Sequence, residues 1–180
     1  MKKIMAIVCA VVMALTCAAC GGTGNNGPSA ETEKAEIASC EDLLNQVWNT
    51  FAEDEKFAAM GGDMNNMVDG APGNYDLTSA ENMTWNLLVP ADKIANVAEA
   101  ASMIHMMNAN NFTSGVIKVA DGVDTKVFAD TMHTAIQSNH WMCGMPEPML
   151  VSVVGGEYVV MAVGINDAMN PFIAKLAEAY

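Results

Sequence analysis

Apolar positions along the chain change period several times, and each change marks an element. Leu43, Leu44, Val47, Trp48 and Phe51 recur at helical spacing, behind Ser39 as an N-cap and Glu41 and Asp42 in the first turn. They predict a helix over about 40–53. The stretch from Met60 to Asn74 is rich in Gly, Asn and Asp and is expected to be a loop. Thr78-Ser79-Ala80-Glu81 has capping-box spacing and opens a short helix through Leu88. Pro90 interrupts, and Ala91 to Ala100 favours helix again.

Residues 101–107 fit either a continued helix or a strand; Phe112–Val119, following the Asn108–Asn111 turn cluster as a partner, selects strand. Asp121-Gly122 marks a turn, and Asp124 caps a helix to about Ser138 whose inward face would be Val127, Phe128, Met132, Ala135 and Ile136. Met149–Val154 and Glu157–Val163 are β-rich runs joined by Gly155-Gly156, a two-residue hairpin signal. Asn170-Pro171 reads as N-cap and first position of a last helix, with Phe172, Ile173, Leu176, Ala177 and Tyr180 on its face. The order predicts an α+β fold, a two-layer sandwich with a four-stranded antiparallel sheet, helices packed on one face, and an N-terminal helix in front.

The first 19 residues read differently. Met1-Lys2-Lys3 is a basic n-region, and Ile4 to Leu15 is an apolar run too short to span a bilayer, which needs about 20 apolar residues. Leu15-Thr16-Cys17-Ala18-Ala19-Cys20-Gly21 follows. Small residues before Cys20 and glycine after it resemble a bacterial lipobox, with Cys17 where leucine is usual. That resemblance implies cleavage after residue 19 and a diacylglyceryl thioether on Cys20, the expected partner then being the lipid bilayer; the alternative is an ordinary signal peptide cut nearby. Two fatty acyl chains suffice for stable anchoring. Residues 20–37 are Gly-, Asn- and charge-rich, a tether before a single domain over 38–180. The expected location is the extracytoplasmic face of the membrane.

Charge narrows the partners. The 180 residues carry 21 acidic and 8 basic side chains, and every basic one is lysine. Loss of Lys2 and Lys3 leaves six lysines against 21 acids, a net charge of −15. Such a chain, lacking the planar arginine fork, is unsuited to gripping phosphate, and nucleic acid is not an expected partner. Cys40 and Cys143 remain beside Cys20. They are either bridged, closing a loop worth ~4–5 kcal/mol, or separate buried thiols.

The strings Tyr75-Asp76-Leu77-Thr78, Gly115 to Asp121, the 123–136 helix, and Gly156 to Val163 resemble a family of uncharacterised Gram-positive, clostridial-type lipoproteins with a C-terminal domain of unknown function. The resemblance covers about residues 75–180, and it implies a fold and a location but no catalytic residue. The chain departs from that pattern at His140–Pro148.

Candidate chemistry is sparse. There is no Gly-x-Ser-x-Gly, His-Glu-x-x-His, phosphate-cradling glycine loop or Cys-x-x-Cys, so no enzymatic activity and no cofactor are expected. Two soft-atom clusters, Met103/His105/Met106/Met107 and His140/Trp141/Met142/Cys143/Met145, carry the ligand types that select Cu(I). Ordinary core methionines explain them equally well. Asp63, Asn65 and Asp69 hint at a Ca²⁺ loop without its register. The candidate binding loop is 140–148, with His140, Trp141, Met142 and Met145, stiffened by Pro146 and Pro148. Trp141 either projects as a recognition anchor or folds inward beside Trp48 or Trp85. The reading is a binding or accessory module, with a soft-metal or haem-binding redox lipoprotein as the alternative.

Overall fold

A computed structural model describes residues 35–141 and 144–180. The signal segment, Cys20, most of the tether, Met142 and Cys143 lie outside the described residues. Helix α1 spans Cys40–Asn49, and the Ser39 hydroxyl accepts the Asp42 amide at 3.0 Å as its cap. It ends earlier than expected because Thr50 and Phe51 tighten onto the Val47 and Trp48 carbonyls. The tightened turn still carries Phe51 into the core. Short strands β1 (Ala59–Gly61), β2 (Val68–Asp69) and β3 (Gly73–Asn74) occupy the stretch expected to be loop.

Helix α2 spans Ala80–Asn86, and the expected capping box does not form: the Thr78 hydroxyl donates to Asp76 Oδ1 instead. Only 91–96 coil, as a 3₁₀ turn, before strand β4 (Val97–His105). Alanine-rich helix propensity is overridden there by pairing of Val97 and Ala100 with Val119 and Ile117 on β5 (Phe112–Val119). Helix α3 (Thr125–Ser138) has its predicted cap, Asp124 Oδ1 accepting the Val127 amide at 3.0 Å. Its buried face is Phe128, Ala129, Met132 and Ile136; Val127 points to solvent.

Strands β6 (Met149–Val154) and β7 (Tyr158–Gly164) form the predicted hairpin, through a three-residue loop in which Gly155 and Gly156 both have positive φ. Helix α4 spans Asn166–Ala179, so it begins before Asn170-Pro171 and holds Pro171 inside. Ala168 and Met169 are buried and extend the face of Phe172 and Leu176 upstream, which rewards the earlier start.

The sheet is antiparallel throughout and has seven strands, not four, in the order β2-β1-β4-β5-β7-β6 with β3 also on β4. Helices cover both faces, which corrects the two-layer expectation. Even-numbered residues of β5 and β7 (Phe112, Val116, Tyr158, Val160, Ala162) pack with α1 and α4. Odd-numbered ones (Ile117, Val119, Val159, Met161, Val163) pack with α2 and α3. A register irregularity between Val97 and Glu99 moves Val97 onto this second face, beside Ala100. The α1/α4 layer is tied together by rings, with Phe57 about 5.1 Å from Trp48 and from Phe112, and Phe112 5.2 Å from Phe172.

The start of α1 is anchored to the sheet by Cys40, whose amide donates to Glu99 Oε1 at 2.8 Å and whose Sγ lies 3.5 Å from the Glu99 carbonyl. Burial, and then the Glu99 carboxylate, push this thiol far above the usual range. Residues 35–37 lie against the domain: the Ala35 amide donates to Ala179 O, and Ile37 packs on the α1/α4 core. Among the described residues no helix is long and apolar enough to cross a membrane.

Leu176→Ala should lower unfolding free energy by ~2–5 kcal/mol in denaturant titration, as buried leucine truncations do. Val127→Ala should stay within about 0.5 kcal/mol. A Leu176 loss in that smaller range would contradict a packed α4 layer.

Candidate functional site

Across four strands, Met60, Ile104, Thr113 and Val163 are register partners and therefore stand side by side on the α2/α3 face. The next row, Gly73, Ser102, Gly115 and Met161, is small except at its end. Leu87, at the end of α2, fills the space over Gly115: a Cβ built there would meet Leu87 Cδ2 at 2.6 Å. Burying Leu87 seats α2 on one side of the first row, and the end of α3 stands on the other. Between them lies an open cleft of about 160 Å³ floored by the first row and Met161.

Trp85 forms one wall and Trp141 the other. Met83 and Leu87 are buried one helical turn apart, which leaves Trp85, midway between them, on the outer side of α2 at 75% exposure. Leu88, on the same wall, has φ +57°, a conformation that costs a non-glycine residue ~1–2 kcal/mol. The Val89 amide returning to the Met83 carbonyl at 3.2 Å holds it there. Strain of this kind is concentrated where structure serves a site.

The 62–67 segment closes a third side with Met64 and Met67, 68% and 59% exposed. It is shaped by Asp63, only 2% exposed, whose carboxylate accepts the amides of Asn65 (2.6 Å), Asn66 (3.0 Å) and Asp76. That carboxylate is thus occupied in organising the loop, and Asp69 is exposed elsewhere on it, so the residues behind the Ca²⁺ hint do not converge. Tyr75 lies beside it. Burial pushes its phenol up to about 12, with hydrogen bonding to Asn86 and Ser102 opposing and the Asp63 charge adding to the rise.

The predicted binding loop is divided by the structure. Trp141 is half-buried and its indole Nε1 donates to the Ile136 carbonyl at 3.1 Å, so it caps α3 while walling the cleft. His140 is exposed at the outer mouth, with Asn108 and Asn110 across from it. Met145 instead lies by Gln137, Pro148 and Asn166, away from the cleft. Pro146 is buried, so this part of the segment is folded down and does not project. Met142 and Cys143 lie outside the described residues, and with them the Cys40–Cys143 pairing.

The first soft-atom cluster is dispersed. Met103 is core on the opposite face of the sheet, and His105 stacks on Phe57 there at 5.1 Å. Met106 and Met107 are exposed at the hairpin end. Among the described residues, no three His, Cys, Asp or Glu side chains come together as a metal site. The thioethers that do share a space are others: Met60, Met64, Met67 and Met161 all line the cleft. These, with Trp85, are the residues that reading by sequence segments missed. Spacing on α2 could have exposed Trp85; nothing local to the 60–67 segment announces that it folds over the sheet.

No family model, no curated protein and no solved structure matches this chain.

Variants retaining one tryptophan each should separate the two walls. Trp85 alone should emit red-shifted and be readily quenched by acrylamide; Trp141 alone should emit to the blue of it with partial protection. Equal quenching of both would contradict this cleft geometry.

Proposed function

We propose that this chain is a lipoprotein anchored at the extracytoplasmic face through Cys20, and that its domain is a binding module whose site is the Trp85/Trp141 cleft. The anchor rests on the n-region, apolar run and lipobox-like Ala18-Ala19-Cys20-Gly21, together with the resemblance to Gram-positive lipoproteins. The observation that carries the binding reading is the wall of exposed Trp85, Met64 and Met67 beside a concave apolar floor. Exposed singly, such residues are ordinary surface; gathered around one concavity, they keep a large aromatic and two adaptable thioethers in water where a ligand can cover them. At about 160 Å³ the cleft is smaller than the ~300–1,000 Å³ that encloses a drug-sized molecule, so it suits one group of a larger ligand.

A soft-metal site is the second reading, favoured by the four methionines that line the cleft. Stoichiometric copper or iron in protein purified under reducing conditions would select it.

Cys20→Ser should leave an unprocessed precursor and abolish membrane retention; unchanged partitioning into membranes would overturn the anchor. For the site, the mature chain without acylation should brighten Nile red, a neutral apolar dye. Trp85→Ala combined with Met64→Ser should remove most of that signal. Undiminished dye binding by the double variant would place the apolar surface elsewhere.

A further inference from the structure

The cleft has an aromatic wall on either side, Tyr75 in its lining, and no lysine among the described residues that form it. Elsewhere three aromatic faces are covered by the chain's own cations. Lys56 sits 5.9 Å from the Trp48 ring centroid, Lys118 5.3 Å from Tyr158, and Lys175 5.1 Å from Phe51. Each described lysine also pairs with a carboxylate, of Glu53, Asp92, Glu157, Asp130 or Glu55. Of the described lysines none stands over Tyr75, Trp85 or Trp141, so at the cleft these rings meet no described cation of the chain.

The surrounding field has the matching sign. The mature chain carries −15, and Asp63 places a carboxylate against the cleft lining whose charge reaches the Tyr75 phenol. Its oxygens are already taken by three backbone amides, so it offers long-range attraction and no direct ion pair. A compact ammonium such as lysine's demands strong hydration, and a floor of Met60, Ile104, Val163 and Met161 with the single hydroxyl of Thr113 replaces little of that water. A cation whose charge is spread beneath methyl groups escapes this conflict. It contacts thioethers and Ile104 as an apolar body while its charge is held by indole faces.

Resting on the binding-module reading, we propose that the cleft takes a quaternary or heavily alkylated ammonium head group between Trp85 and Trp141. Apolar burial supplies contact, and the rings and acidic field supply selectivity for the charge. The small volume fits a head group, with the remainder of its carrier lying in the outer mouth by His140 and Asn110.

Calorimetric titration of the mature chain without acylation, produced without residues 1–19 and with Cys20→Ser, against choline and its neutral carbon isostere, dimethylbutanol, tests this. Choline should bind measurably and dimethylbutanol at least about fivefold more weakly, with choline affinity falling as salt is raised. Trp85→Leu, which keeps an apolar wall, should weaken choline about fivefold, while Trp85→Phe should retain part of the affinity. An unchanged thermal midpoint for Trp85→Leu shows that the fold is intact. Equal binding of choline and dimethylbutanol, no binding of choline, or indifference to Trp85→Leu would each overturn the proposal. If Nile red uptake persists through such a failure, only the cationic ligand is wrong; if that uptake is also absent, the binding-module reading falls with it.

Discussion

Val159, Val160, Met161, Ala162 and Val163 bury successive side chains into opposite faces of the sheet, and among the described residues no other strand is so completely enclosed. Full burial of an aliphatic side chain contributes ~1.5–3 kcal/mol relative to exposure, so β7 needs cover on both sides to be stable. That requirement places α1 and α4 on one face and α3 with α2 on the other. It also explains why β5 lies next to β7 with a matching alternation of apolar residues. Strands towards the β2 edge are short and only partly covered, as a sheet tapering away from a doubly packed centre would be.

The cleft follows from the same constraint applied unevenly. Helix α3 packs on β6 and β7, and α2 reaches the sheet through Leu87 over Gly115. Neither fully covers Met60, Ile104 and Thr113, the half-buried part of the row that ends at Val163. A doubly buried sheet makes that floor rigid, whereas its wall from Met64 to Met67 is built from exposed, unbranched side chains on a loop held by one carboxylate. A stiff floor with an adaptable wall is a physical basis for binding without large rearrangement.

Much of the fold was legible in local pattern. Ser39 and Asp124 announced their helices because capping is a short-range interaction. Phe112–Val119 and Met149–Val154 were bounded by turn residues that do the same for strands. Layering was misread although the signal was present: the unbroken run from Tyr158 to Val163 marks a strand buried on both faces, unlike the alternation of a two-layer sheet. The start of α4 was misplaced because Pro171 outweighed the periodicity of Ala168 and Met169. Of the site, Trp141 was found through its proline-rich segment, while Met60, Met64 and Met161 come from strands and loops that meet only through long-range pairing. Spacing alone does not encode that convergence.

A doubly enclosed β5–β7 pair is the rigid element on which a locally adaptable cleft wall is mounted. Native-state hydrogen exchange over a denaturant series tests this most directly. Amides of β5 and β7 should exchange only through global unfolding, whereas those of the 63–69 segment should open locally, at lower free energy and with little denaturant dependence. Exchange of β7 amides through a partial opening, or protection of the 63–69 segment as strong as that of β7, would contradict the account.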